Sequence, residues 1–190
     1  MVLAGKMIMK ISKCLLLPVI LSLNFLQVLP KETEVTQVLN QVASQSEVKR
    51  LDLDFDFKNL IDQASKSREN SYSPYSKFKV GAAVLTKSGK IYTGTNIENA
   101  SYGLTICAER TAIFKAVSEG EKGNFIKAVA IVLDAPEYGA PCGACRQVIN
   151  EFAEPEAYIV MATVSGNYKI EQLKSLLPYA FKLEQDKKQK

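Results

Sequence analysis

The chain has no histidine and only four cysteines, and three of those cysteines stand in two short segments: Cys107-Ala108-Glu109-Arg110 and Pro141-Cys142-Gly143-Ala144-Cys145-Arg146. A metal held by these segments must be held by thiolates. Sulfur at Cys-x-x-Cys spacing, completed by a distant third cysteine, suits a tetrahedral zinc ion better than a hard, oxygen-seeking cation. Each segment runs into a helical apolar pattern, Ala112, Ile113, Ala116 and Val117 after the first and Val148, Ile149 and Phe152 after the second. The cysteines therefore open two helices, where free backbone N–H groups and the positive end of the helix dipole lower a thiol's pKa. Cys142 and Cys145, three residues apart, also share one helix face. The expectation is a metal pinned between two helix N-termini.

A structural zinc is closed by four protein ligands, whereas a catalytic one keeps a position for water and lowers that water's pKa toward neutrality. Only Cys14, far upstream in an apolar segment, offers a fourth thiolate, so an open site is expected. Glu109, two residues past Cys107, is placed to shuttle a proton rather than to bind metal. Three thiolates around a divalent cation leave one net negative charge. Arg110 and Arg146, each just after a ligand, are expected to donate to the sulfurs and offset it. The competing readings of the same residues are a redox or disulfide pair at Cys142 and Cys145, which the neighbouring Glu109 and arginines disfavour, and a structural zinc knuckle, which lacks a fourth ligand.

With 190 residues, one domain with a sizeable core is expected. The net charge of +4 is unevenly spread: residues 55–181 carry 14 Lys/Arg against 13 Asp/Glu, and the surplus lies in the two ends. Nothing there forms the basic stripe by which proteins bind polynucleotides, so DNA or RNA is not the expected substrate. Residues 1–29 place Lys6, Lys10 and Lys13 ahead of an apolar run, the layout of a signal peptide or anchor, but Pro18 and Asn24 interrupt the run and no clean small-x-small cleavage site follows it. Export or membrane contact through this segment stands beside a start codon placed too far upstream. Residues 30–54 read as a polar linker, 55–181 as the catalytic domain and 182–190 as a charged tail.

Within the domain, Lys58–Glu69 is expected as a helix, with Lys77–Thr86 and Ile91–Asn96 as a hairpin. A helix over Cys107–Glu119, a buried strand over Phe125–Leu133 and a second helix from Cys142 to Glu151 follow. A strand over Ala157–Val164 and a short helix over Ile170–Leu177 end the pattern. This is an α/β chain, a three-layer α/β/α sandwich around a mixed sheet of about five strands. Asn96 and Glu98 follow a strand end, where ligand-contacting residues of open α/β sheets sit, and could bracket the hydroxyls of a sugar.

Around the cysteine segments the chain reads Phe78-Lys79-Val80-Gly81-Ala82-Ala83, Asn96-Ile97-Glu98-Asn99-Ala100 and Ile106-Cys107-Ala108-Glu109-Arg110-Thr111-Ala112. These ordered motifs closely resemble the cytidine deaminases, specifically the small all-cysteine form that assembles as a homotetramer, over about Phe55 to Phe181. The resemblance implies a cytidine deaminase-like fold, one zinc ion per subunit on Cys107, Cys142 and Cys145, and Glu109 as the acid/base group of a hydrolytic deamination. It implies that Asn96 and Glu98 bind the ribose, that Phe78 lies against the pyrimidine ring, and that the backbone around Ala108 orients the base's edge. It implies further that Ala100, Tyr102 and Phe181 contribute across subunit interfaces to shared active sites. The activity expected is deamination of cytidine and 2′-deoxycytidine in pyrimidine salvage, in the cytoplasm. Another cytosine nucleoside, such as an antibiotic, or a non-catalytic zinc-binding role are the alternatives.

Overall fold

The structure is a computed structural model that describes residues 53–183. The apolar segment 1–29 with Cys14, the linker up to Asp52 and the tail beyond Leu183 lie outside the described residues. The first helix, α1 (Phe57–Arg68), starts at Asp56, whose carboxylate accepts the Asn59 N–H at 3.0 Å and so satisfies one of the free donors of the first turn. It leads into the hairpin of β1 (Val80–Thr86) and β2 (Ile91–Thr95), turned at Gly89, whose φ of +88° a side chain would resist. Then come a 3₁₀ turn (Tyr102–Leu104), α2 (Ala108–Ser118), β3 (Ile126–Leu133), α3 (Gly143–Phe152), β4 (Ala153–Thr163), β5 (Tyr168–Gln172) and the single turn α4 (Leu173–Leu176).

The five strands form one mixed sheet in the order β2-β1-β3-β4-β5. Only β3 and β4 are parallel, joined by α3; every other pairing is antiparallel. The β3 run Ile126-Lys127-Ala128-Val129-Ala130-Ile131-Val132-Leu133 is buried at all but one position, as a central strand covered on both faces must be. On one face Leu60 and Ala64 of α1 pack on Ala83, Ala128, Ala130, Val132 and Val160. On the other, Ala112, Ile113 and Ala116 of α2 and Ile149 of α3 pack on Val84, Val129, Ile131 and Ile159. The two layers of helices and the sheet between them make the expected three-layer sandwich.

The two largest departures from expectation lie in the last third of the chain. β4 begins at Ala153, four residues before the expected start at Ala157, because α3 passes into it without a loop. Ala153 pairs with Ile126 and Tyr158 with Ala128, so the exposed Glu154-Pro155-Glu156 is a bulge within a strand, where composition reads as a turn. Residues 168–172 are the edge strand β5 rather than the start of the last helix. Ile170, Leu173 and Leu176 have helical spacing, but Ile170 packs from a strand, and Lys169 and Glu171 on the opposite face pair at 3.0 Å.

One glycine decides how close α2 comes. A Cβ at Gly94 of β2 would stand 2.3 Å from the Ala112 nitrogen and 2.6 Å from the Ala108 oxygen. The first turn of α2, which follows Cys107 directly, lies on the bare backbone of β2.

Candidate active site

Val80 of β1 pairs with Leu133 of β3, and Gly81 with Thr95 of β2, so the residues following β2 and β3 leave the sheet at the same end. Both helices that follow begin there. Cys107 is the N-cap of α2 and Cys142 that of α3, each in extended backbone (ψ 155° and 164°), and neither thiol caps its own helix. Their sulfurs are left to face each other across the gap between the helix starts, with Cys145 one turn into α3.

The three sulfurs lie within 4.8 Å of one another, Cys142 at 3.4 Å from Cys145 and 4.0 Å from Cys107. All three are free thiols. Tetrahedral Zn–S bonds of about 2.3 Å place sulfurs roughly 3.8 Å apart, so this donor set fits the ion. Among the described residues no fourth Cys, Asp or Glu joins the group. Cys107 is held at about 5, chiefly by the Cys145 thiol beside it and against the effect of burial, with Arg110 adding to the lowering. Cys145 is pushed up by that same contact with Cys107 and by its own burial. The cluster thus carries its first negative charge on Cys107, where Arg110 Nη2 donates to the sulfur at 3.5 Å.

Arg110 sits where the sequence places it, against a thiolate. Arg146 does not. Its Nε donates to the Pro141 carbonyl and its Nη1 to the Leu176 carbonyl, both at 2.7 Å. Arg146 therefore holds the turn that delivers Cys142 and ties it to α4, and the expected donation to sulfur is replaced by bonds to backbone. Glu109 is 4% exposed. Burial raises its proton affinity above the ordinary carboxylate range and the charge on Cys107 adds to this, while a backbone hydrogen bond and the Cys145 thiol act the other way.

Asn96 and Glu98 are both engaged within the chain. The Asn96 Oδ1 accepts from Ser71 Oγ at 2.5 Å and from the Val80 N–H at 2.8 Å, and its Nδ2 donates to the Phe78 carbonyl at 2.8 Å. The Glu98 Oε2 accepts the N–H groups of Tyr75 and Ser76 at 2.8 and 3.2 Å, and its Oε1 accepts the Ser76 hydroxyl. Counting donors and acceptors, among the described residues Asn96 keeps one N–H and Glu98 one acceptor position. Of the two, Glu98 lines a cavity of about 400 Å³ together with Tyr75, Ser76, Tyr102 and Thr105.

Phe78 is 43% exposed, and Tyr102, 78% exposed, meets Tyr75 edge-on at 6.3 Å. Ala100 is exposed next to it. Phe181 turns a 66% exposed side chain outward while its carbonyl is fastened to α3 by Gln147 and Asn150 at 2.9 and 3.1 Å. The sequence reading overlooked the serines. Asn70-Ser71-Tyr72-Ser73-Pro74 has the composition that ends a helix, yet Ser71 bonds Asn96, Ser76 bonds Glu98, and Tyr75 and Ser76 line the cavity; the density of hydroxyls in that turn is the one signal that pointed there.

The model for the cytidine and deoxycytidylate deaminase zinc-binding region matches residues 56–161. The chain belongs to that deaminase family. It is 48% identical over 129 residues to the cytidine deaminase of Sporosarcina psychrophila, spanning 68% of this chain and 93% of that protein. It is 47% identical to that of Halalkalibacterium halodurans, over 68% of this chain and 96% of the relative. The crystal structure of the cytidine deaminase from Burkholderia pseudomallei superimposes with a TM-score of 0.65 at 45% identity, covering 67% of this chain and 100% of that one. The fold is thus that of the cytidine deaminases. Deaminases of this family bind zinc, and Cys107, Cys142 and Cys145 are the group here that fits it. Membership in an enzyme family displaces the reading as a non-catalytic zinc module.

Proposed function

We propose that this chain hydrolyses cytidine and 2′-deoxycytidine to uridine and 2′-deoxyuridine, with one zinc ion per subunit on Cys107, Cys142 and Cys145. The observation that carries the reading is the convergence of three thiols at two helix starts with a buried carboxyl, Glu109, against them. Bound zinc supplies a Lewis-acid position at which water becomes acidic near neutral pH. Glu109 handles the protons. It accepts one from the water as the C4–O bond forms and passes it to N3; it then moves the remaining hydroxyl proton to the amine as the C4–N bond breaks and ammonia leaves. Phe78 offers its face to the pyrimidine ring, the backbone about Ala108 orients the base's edge, and Asn96 with Glu98 holds a ribose hydroxyl. The product feeds pyrimidine salvage.

The assembly that goes with this reading is a homotetramer. Tyr102 and Leu104, 78% and 70% exposed, and Phe181 leave apolar surface at and beyond the mouth of the site, which neighbouring copies would cover, bringing Ala100, Tyr102 and Phe181 to shared pockets. By this reading the domain works in the cytoplasm. Export or anchoring through residues 1–29 is the alternative, separated by cell fractionation and the N-terminal sequence of the mature chain. The activity is tested by following the ultraviolet loss of cytidine with the purified full chain beside Glu109→Gln, with zinc measured in both. The expected result is zinc in both proteins and turnover reduced about 10²–10⁴-fold in the variant. Undiminished turnover by Glu109→Gln removes its role; zinc without turnover in the parent leaves another cytosine nucleoside as substrate.

A further inference from the structure

Ser76 lies between the two residues assigned to opposite ends of the nucleoside. Its hydroxyl oxygen accepts the Phe78 N–H at 3.0 Å, and the Glu98 carboxylate, acceptor only, takes its proton on Oε1. The hydroxyl therefore passes a fixed chain of hydrogen bonds from the backbone of Phe78 to the side chain of Glu98. Between Ser76 and Phe78 stands Lys77, at φ +59°, a left-handed conformation that a side-chain-bearing residue adopts only where its surroundings hold it. What holds it is the same knot: Glu98 gathers the N–H groups of Tyr75 and Ser76, and the Lys77 N–H closes the turn on the Ser73 carbonyl at 3.1 Å.

We propose that Ser76 is a positioning residue for substrate binding, fixing the Glu98 carboxylate toward a sugar hydroxyl and the Phe78 ring toward the base as one unit. This rests on the reading of Phe78 and Glu98 as nucleoside contacts. Without the Ser76 hydroxyl, Glu98 Oε1 loses its only partner among the described residues, and the carboxylate can turn away from the single acceptor position it keeps for the ligand. The Ser76 hydroxyl is also the first cause holding Glu98 below its ordinary protonation range, ahead of the two N–H groups and the Lys77 ammonium, and against desolvation. Facing the same carboxylate across the cavity are the Tyr75 and Tyr102 phenols and the Thr105 hydroxyl.

Glu98 stays ionised, and able to accept the hydroxyl, until pH falls through its lowered pKa; removing the largest lowering contact moves that loss of binding to higher pH. The test is steady-state kinetics of the zinc-loaded full chain, as Ser76→Ala, Ser76→Thr and Glu98→Gln, with cytidine across mildly acid to neutral pH. Expected for Ser76→Ala is a roughly tenfold rise in KM with a much smaller change in kcat, and an acid rise of KM that begins at higher pH than in the parent. Ser76→Thr, which keeps the hydroxyl, should restore both. A raised KM in Glu98→Gln with unchanged KM and pH profile in Ser76→Ala overturns the proposal, as does Ser76→Thr behaving like Ser76→Ala. An unchanged KM in Glu98→Gln instead strikes the assignment of Glu98 to the nucleoside, on which the proposal stands.

Discussion

Cys142 is exposed whereas Cys145 is fully buried, and this difference sets what each thiol does before metal arrives. Cys145 is the inner member of a cluster in which Cys142 lies 3.4 Å from it and 4.0 Å from Cys107, so the three sulfurs are brought together from two helices by the fold itself. Cys142 closes it from the solvent side. Replacing Cys142 by alanine should therefore leave the chain folded but unable to hold zinc, with metal content falling from one per subunit to near zero. A ligand present at a thousand times its dissociation constant contributes about 4 kcal/mol to the folded state, so this variant should melt roughly 10 °C below the loaded parent. Chelation of the parent should reproduce that melting temperature. If instead the variant keeps its zinc, another residue is the third ligand. Arg110 and Arg146 differ in the same way at this scale. Both follow a cysteine, but Arg110 points back one helical turn to sulfur whereas Arg146 reaches the Pro141 and Leu176 carbonyls. Arg110 stands three residues past Cys107, one helical turn, whereas Arg146 directly follows Cys145 and so points to another side of its helix.

The elements carry the site by how closely they pack. Because the first turn of α2 rests on Gly94, a methyl group there meets backbone atoms of Ala108 and Ala112, which have no rotamer to escape by. Gly94→Ala should push the Cys107 end of α2 off the sheet, destabilise the domain by about 3 kcal/mol and weaken zinc binding together with it. Thermal melting with zinc analysis checks this; a stable, zinc-replete variant would mean that α2 can shift without disturbing Cys107. The helix starts themselves were legible in the sequence, since the cysteine motifs and the apolar spacing after them point to the same places. So were β1, β2 and β3, whose apolar runs have no competing pattern. The last third was less legible. Glu154-Pro155-Glu156 has the composition of a turn but lies in a bulged strand, and Ile170 belongs to an edge strand whose register depends on β4. The roles of Ser71 and Ser76 could not be read either, because a hydroxyl's partner depends on how the turn around it folds, here including a left-handed lysine.

In the homotetramer proposed above, each site would be completed by a neighbouring copy of the chain. The carbonyl of Phe181 is fastened to α3 by Gln147 and Asn150, and Lys182 Nζ donates to Asn124 Oδ1 at 3.0 Å, so the backbone of the C-terminal arm is fixed to its own domain while the ring projects outward. An aromatic side chain held in that way is presented to something outside the domain, and in the proposed tetramer it enters a neighbour's site. The consequence is complementation. Glu109→Gln removes the proton carrier from its own site but still supplies Phe181 to the neighbour, whereas Phe181→Ala does the reverse. Each variant alone should be impaired, severely for Glu109→Gln. Co-expressed, they should form mixed tetramers in which a site with an intact Glu109 is closed by an intact Phe181, and kcat/KM for cytidine should rise above the average of the two separate proteins. Activity equal to that average, in tetramers shown to contain both chains, would mean that Phe181 serves its own subunit or none, and a monomer in sedimentation would remove the shared site altogether.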